Sequence, residues 1–121
     1  MLNIIHEAGW GAYPVILFGV SAIAMAVRHL VSPSTKHQTT TKWLMGLTVL
    51  AGLLGTATGV QRSAQFITDV GADERWIFLT GLYESLHNLT MALVLVTFAM
   101  LGLFGAHLRQ TPDASAPLPA E

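Results

Sequence analysis

Three long apolar runs, separated by short polar ones, dominate the chain. The first extends from about Gly11 to Val31 (GAYPVILFGVSAIAMAVRHLV). The second starts at Trp43 (WLMGLTVLAGLLGTATGV) and continues through a more polar turn or two, and the third covers Trp76 to Ala106. Each reaches the roughly 20 residues of helix that cross a hydrocarbon core. The pattern predicts an all-α integral membrane protein with three transmembrane helices, at about 11–31, 43–66 and 76–106. These form one membrane domain, 1–109, followed by a Pro- and Ala-rich tail, 110–121, expected to be disordered. Trp10, Tyr13, Trp43 and Trp76 fall at the ends of the runs, where aromatic belts sit. The first run is a poor secretory signal. It is too long, His6 and Glu7 stand where a basic segment belongs, and no clear cleavage site follows.

The polar segments set the expected orientation. Segment 32–42, SPSTKHQTTTK, reads as a loop carrying Lys36 and Lys42 close to Arg28, and Arg109 opens the tail. Segment 68–75, TDVGADER, holds Asp69, Asp73 and Glu74 against Arg75. The Lys and Arg bias places 32–42 and the C-terminus inside, with the N-terminus and 68–75 outside. Composition agrees with a lipid environment: 52% of residues are hydrophobic and 11% charged, where soluble domains carry about 25% charge. A net charge of −1 offers no basic surface for nucleic acid. With no cysteine, disulfides, thiolate metal sites and a Cys nucleophile are excluded. No hydrolytic or redox constellation appears, so neither an enzyme nor a cofactor is expected.

Small residues crowd one face of the second run: Thr48, Gly52, Thr56, Gly59 and Ser63 recur at spacings of three and four. Gly52, Gly55 and Gly59 read as a helix-packing seam, because close approach rather than hydrophobicity joins helices in lipid. Thr56 either bonds back to its own helix or lines a polar path. In the third run, Glu84 lies about 12 Å along the helix from Trp76. A carboxylate at depth costs several kcal/mol unless it is protonated, paired or facing water. Thr80, His87, Asn88 and Met91 share its face. Such a stripe is either a satisfied polar cluster joining helices or a site that binds and releases a proton or cation. Glu84 and His87 also have the E-x-x-H spacing of carboxylate-bridged metal sites. Those sites need a second copy and further carboxylates, so no metal is assigned. His6, His29, His37 and His107 lie near run ends and are expected to be solvated.

Two of these stretches resemble the TolQ/ExbB/MotA proton-channel family. GLLGTATG, Gly52 to Gly59, is similar to that family's second-span G-L-x-G-T-V-x-G. GLYESLHNLTMAL, from Gly81, is similar to its third-span G-I-x-E-A-L-x-x-T-A-x-G-L. Tyr13-Pro14-Val15 and Val27-Arg28 give a looser match in the first span, so the resemblance covers roughly residues 8 to 109. It implies a subunit of an energy-transducing complex in a bacterial inner membrane. Five copies would form a ring around a single-span partner similar to ExbD, TolR or MotB, which brings an aspartate. By position, Glu84 matches the family's third-span carboxylate and Thr56 its second-span threonine. The third-span threonine falls on Leu89 and Thr90 comes one position late, which leaves Asn88 as the substitute. The large cytoplasmic domain usual between the first two spans is replaced by about eleven residues, 32–42.

The expectation is therefore a homo-oligomer, a pentamer by resemblance, with the second and third spans lining the centre and the first facing lipid. Glu84, Thr56 and Asn88 are expected to face one cavity with His87 at its edge. The alternatives are a structural or accessory ring subunit and, more remotely, a metal- or haem-binding redox subunit. Orientation can be tested with single cysteines at Thr40 and Asp73. An impermeant thiol reagent applied to intact cells should label position 73 and spare position 40; the opposite result reverses the orientation.

Overall fold

The computed structural model describes residues 9–110. Of the tail only Gln110 falls within that range, and His6 lies outside it. Three α-helices account for most of the described chain: α1, Ala12–Val31; α2, Thr35–Thr68; and α3, Ile77–Gln110. Short 3-10 turns occupy Gly9–Gly11 and Ala72–Glu74. All three helices are long and apolar enough to cross a membrane. Helix α1 accommodates Pro14 in its first turn, where a missing N–H costs little.

The α1–α2 connection differs from the sequence expectation. Segment 32–42 is not a loop: the chain turns within Ser32–Ser34 and resumes helix at Thr35. Pro33 stops α1 by disfavouring helical backbone just before it. Beyond it, Thr41 donates its hydroxyl proton to the His37 carbonyl at 2.7 Å and is fully buried. A threonine-rich stretch can enter apolar surroundings in this way, each hydroxyl finding its partner within the helix. Two histidines hold the turn. The Ser34 N–H donates to His29 Nδ1 at 3.2 Å, and His37 Nδ1 lies 3.1 Å from the Ser32 carbonyl oxygen. His29, expected to be solvated, is only 4% exposed, because it is the acceptor that closes this turn. His37 is half-buried, and His107 is exposed. Thr40 is half-buried on α2, so exposed Thr39 is the more accessible position for a labelling reagent.

Burial is inverted relative to a soluble domain. The buried residues are mostly small or hydroxylated, among them Ala12, Ala22, Ala26, Thr48, Ala92 and Ala99. Leu50, Leu54, Phe98, Leu101 and Phe104 are more than half exposed. In lipid this is the favoured arrangement, since large apolar side chains gain nothing by leaving the hydrocarbon while small ones let backbones meet.

The helices alternate in direction, with α1 and α3 parallel and α2 antiparallel to both. Along α2–α3 the contacts are Gly52 with Ala92, Gly55 with Asn88, Gly59 with Ser85, and Ser63 with Gly81. Two of these pairs form a local two-fold arrangement. Gly59 and Ser63 on α2 repeat as Gly81 and Ser85 on α3, and each serine lies over the other helix's glycine. Each serine hydroxyl donates to its own helix, Ser63 to the Gly59 carbonyl at 3.0 Å and Ser85 to the Gly81 carbonyl at 2.6 Å. On the other flank Gly19 lies under Leu95, and Gly102 against Ala26. The small-residue face of α2 is thus filled by α3 of the same chain and is not a surface left over for another subunit.

A Cβ built on Gly59 would lie 2.9 Å from Ser85 Cβ, whereas one on Gly46 meets nothing within 4 Å. Gly59→Val should therefore destabilise the bundle by about 1–3 kcal/mol, the usual cost of overpacking. Gly46→Ala should leave stability within about 0.5 kcal/mol, as substitutions away from packed positions do. Reversible unfolding of the two variants in mild detergent reads both.

Candidate functional site

Helix α1 is shorter than its partners, and the candidate site forms where it begins. Gly11, just before α1, abuts Gly55 and Asn88: its added Cβ would lie 3.0 Å from Gly55 Cα and 3.2 Å from Asn88 Nδ2. Beyond this level α2 continues from Gly55 to Thr68, roughly 20 Å at about 1.5 Å per residue. It pairs there with the opening turns of α3 alone. At the step lies a cavity of about 190 Å³, lined by Gly9 to Gly11, Gly55, Thr58, Gly59, Arg62, Ser63, Gly81, Glu84, Ser85 and Asn88.

Glu84 and Asn88 share this cavity. Asn88 is buried, with its carboxamide packed over Gly55, and Glu84 is exposed one turn further out. Thr56 and His87 do not line the cavity. Thr56 Oγ1 instead donates across the helix pair to the Ser85 carbonyl at 3.0 Å, so its hydroxyl is a fastener between α2 and α3. Thr58, two residues on, lines the cavity in its place, donating to the Leu54 and Gly55 carbonyls at 2.9 and 3.1 Å. His87 turns away onto Tyr83, with Nδ1 3.1 Å from the Tyr83 carbonyl oxygen and ring centroids 4.8 Å apart, edge to face. Among the described residues no group of three His, Asp or Glu side chains converges. Gly52, Gly55 and Gly59 belong to the α2–α3 seam, and Gly55 and Gly59 also form part of the cavity wall.

Arg62 is the residue that sequence reasoning passed over. It lies in the polar turn or two appended to the second run, and it lines the same cavity as Glu84. The local two-fold explains the placement. Arg62 precedes Ser63 as Glu84 precedes Ser85, so the two charges are brought to equivalent positions around one axis. Two G-x-x-x-S segments on antiparallel helices, each with a charge beside the serine, were visible in the sequence.

The step also revises the depth of Glu84. Between Lys42 and Arg62 α2 carries no charge, which is roughly 30 Å of helix, a full hydrocarbon thickness. Helix α1, Ala12–Val31, is also roughly 30 Å long and starts level with Asn88. Measured on either helix, Glu84 stands at the edge of the apolar layer. Counting along α3 from Trp76 alone put it inside, because α3 begins well beyond the start of α1.

Comparison of the chain with protein-family models, curated proteins and solved structures gives no match.

Because Thr56 bonds to α3 rather than facing the cavity, Thr56→Val should cost about 0.6 kcal/mol, typical of an interhelical hydrogen bond in a membrane. Its effect should appear in the unfolding midpoint of the detergent-solubilised protein and leave the environment of Glu84 unchanged.

Proposed function

We propose that the chain is an ion-conducting subunit of an energy-transducing assembly in a bacterial inner membrane, with Glu84 as the group that takes up and releases a proton. One observation carries the reading. In a bundle that turns many large apolar side chains outward, a carboxylate opens onto a cavity lined by hydroxyls, glycine backbone, Trp10, the Arg62 guanidinium and the buried Asn88 carboxamide. Such surroundings hold water, through which a proton reaches or leaves the carboxylate. Glu84 stands at the mouth of the path, and Asn88 lies one turn deeper. The GLLGTATG and GLYESLHNLTMAL stretches support the same reading, since they resemble the TolQ/ExbB/MotA family and their residues pack against each other here.

On this reading the N-terminus and the α2–α3 connection face outward, and the basic end with Arg28, Lys36, Lys42 and Arg109 faces the cytoplasm. Copies of the chain, five by resemblance, enclose a single-span partner whose aspartate exchanges protons with Glu84. Since the seam glycines are used within the subunit, neighbouring copies meet through the large side chains and charged groups outside it.

A second reading, a structural or accessory ring subunit, has Arg62 in its favour. A guanidinium on the same cavity wall can compensate Glu84 and make the pair a fixed surface feature rather than a carrier.

The assembly purified together with its single-span partner, in liposomes under a pH gradient and a potassium diffusion potential, separates the two, with an entrapped pH dye as readout. Wild-type protein should pass protons above protein-free vesicles. Glu84→Gln should return the flux to background while native mass spectrometry still shows the same oligomer, because the amide keeps shape but cannot cycle a proton. Absent wild-type flux, or undiminished flux from Glu84→Gln, assigns the chain to the structural reading; a monomer in both excludes a ring.

A further inference from the structure

We propose that the Arg62–Glu84 cavity and the apolar groove below it together bind one phospholipid whose headgroup carries a primary ammonium, the phosphatidylethanolamine class. The two spaces are continuous. Trp10, Gly11 and Gly55 line both the cavity and a groove of about 300 Å³ between α1 and α2. The groove follows the chain from Gly11 into α1 as far as Phe18 and α2 from Gly55 back to Leu47, a run of roughly 12 Å at about 1.5 Å per residue. Its wall is apolar side chain and glycine throughout, with Pro14, Phe18, Leu47 and Leu50 among them. A polar chamber at the edge of the apolar layer that opens into an apolar trench running inward has the shape of a headgroup and the first part of an acyl chain.

The charges select the headgroup. Arg62 and Glu84 line one chamber, yet form no salt bridge with each other among the described residues. A guanidinium presents the fork that matches phosphate oxygens. A carboxylate beside it requires a cation, and the zwitterionic headgroup supplies both charges within one small group. The hydroxyls agree. Ser63 and Thr58 already donate their protons to helix carbonyls, so what they offer the chamber is lone pairs, which accept from an ammonium. A choline headgroup has the positive charge but no N–H to give, and a glycerol headgroup lacks the positive charge. Trp10, 55% exposed at the junction, sits where an interfacial indole meets the glycerol backbone.

The inference does not rest on ion conduction, and its test needs no gradient. A Trp43→Phe/Trp76→Phe protein retains Trp10 as its sole tryptophan, and both replaced side chains are exposed. Reconstituted with lipids brominated in the acyl chain, Trp10 reports the relative association constant of each headgroup class. Phosphatidylethanolamine should bind about five-fold more tightly than phosphatidylcholine, the ratio that one net hydrogen bond, which the ammonium donates and choline cannot, supplies. Phosphatidylglycerol should show no such advantage. Glu84→Gln should bring the ratio to about one, whereas Arg62→Gln should weaken both lipids alike, since both carry the phosphate, and Arg62→Lys should retain most of their binding. Equal constants for the three lipids, meaning annular lipid only, overturn the proposal. So does preference for phosphatidylglycerol, which would mean that Arg62 alone selects, or an unchanged ratio in Glu84→Gln. The comparison of lipids on unsubstituted Arg62 and Glu84 decides the matter even where a site variant fails to fold.

Discussion

Three apolar helices surrounded by lipid have no hydrophobic reason to touch, since the chains around them are as apolar as their own leucines. What holds this bundle together is therefore fit: how closely one backbone can lie against another. The α2–α3 seam meets that demand by placing a glycine on one side of each close contact from Gly52–Ala92 to Ser63–Gly81. Much of the structure follows. Large side chains are displaced to the lipid surface, and the buried hydroxyls must bond within their own helices or directly across the seam. Among the described residues, polar space opens where α1 drops out of the packing.

That dropout gives the candidate site its character. Where three helices run together, small buried residues fill the interior. Where α2 and α3 continue alone, the missing helix leaves a chamber, and the local two-fold of the two G-x-x-x-S segments brings one positive and one negative side chain to it. Asn88 marks the floor, packed over Gly55 at the level where α1 begins. Charge at an interface is far cheaper than charge at the middle of a bilayer. The chamber can therefore hold Arg62 and Glu84 without the close pairing that a buried site would require.

Much of this was legible in the sequence, and the exceptions have physical causes. Long apolar runs announce spanning helices, and Gly52, Gly55 and Gly59 at helical spacing announce a close contact, though not which helix would fill it. The threonine-rich segment read as a loop because its composition is polar; the back-bonded hydroxyl of Thr41 shows how such residues continue a helix into apolar surroundings. His29 departs from its expected exposure for a related reason: proximity to a chain turn suggests solvent, but here the imidazole is what the turn's backbone bonds to. The depth of Glu84 and the role of Arg62 depend on the offset between α1 and the other helices. No single helix carries that information. Thr56 and Thr58 show the same limit at finer scale, since two residues of helix rotation decide which hydroxyl meets α3 and which meets the cavity.

The reciprocal serine–glycine pairs carry an evolutionary consequence. Each contact constrains the combined bulk of two positions, one on each helix, and not the identity of either. Serine at position 59 is tolerable once position 85 is glycine, and the same exchange holds for 63 and 81. Substitution at these sites should proceed by paired exchange across the seam. In diverging sequences the four positions would then vary widely one at a time while remaining tightly correlated two at a time, a record of the antiparallel register that survives after the motifs themselves have faded.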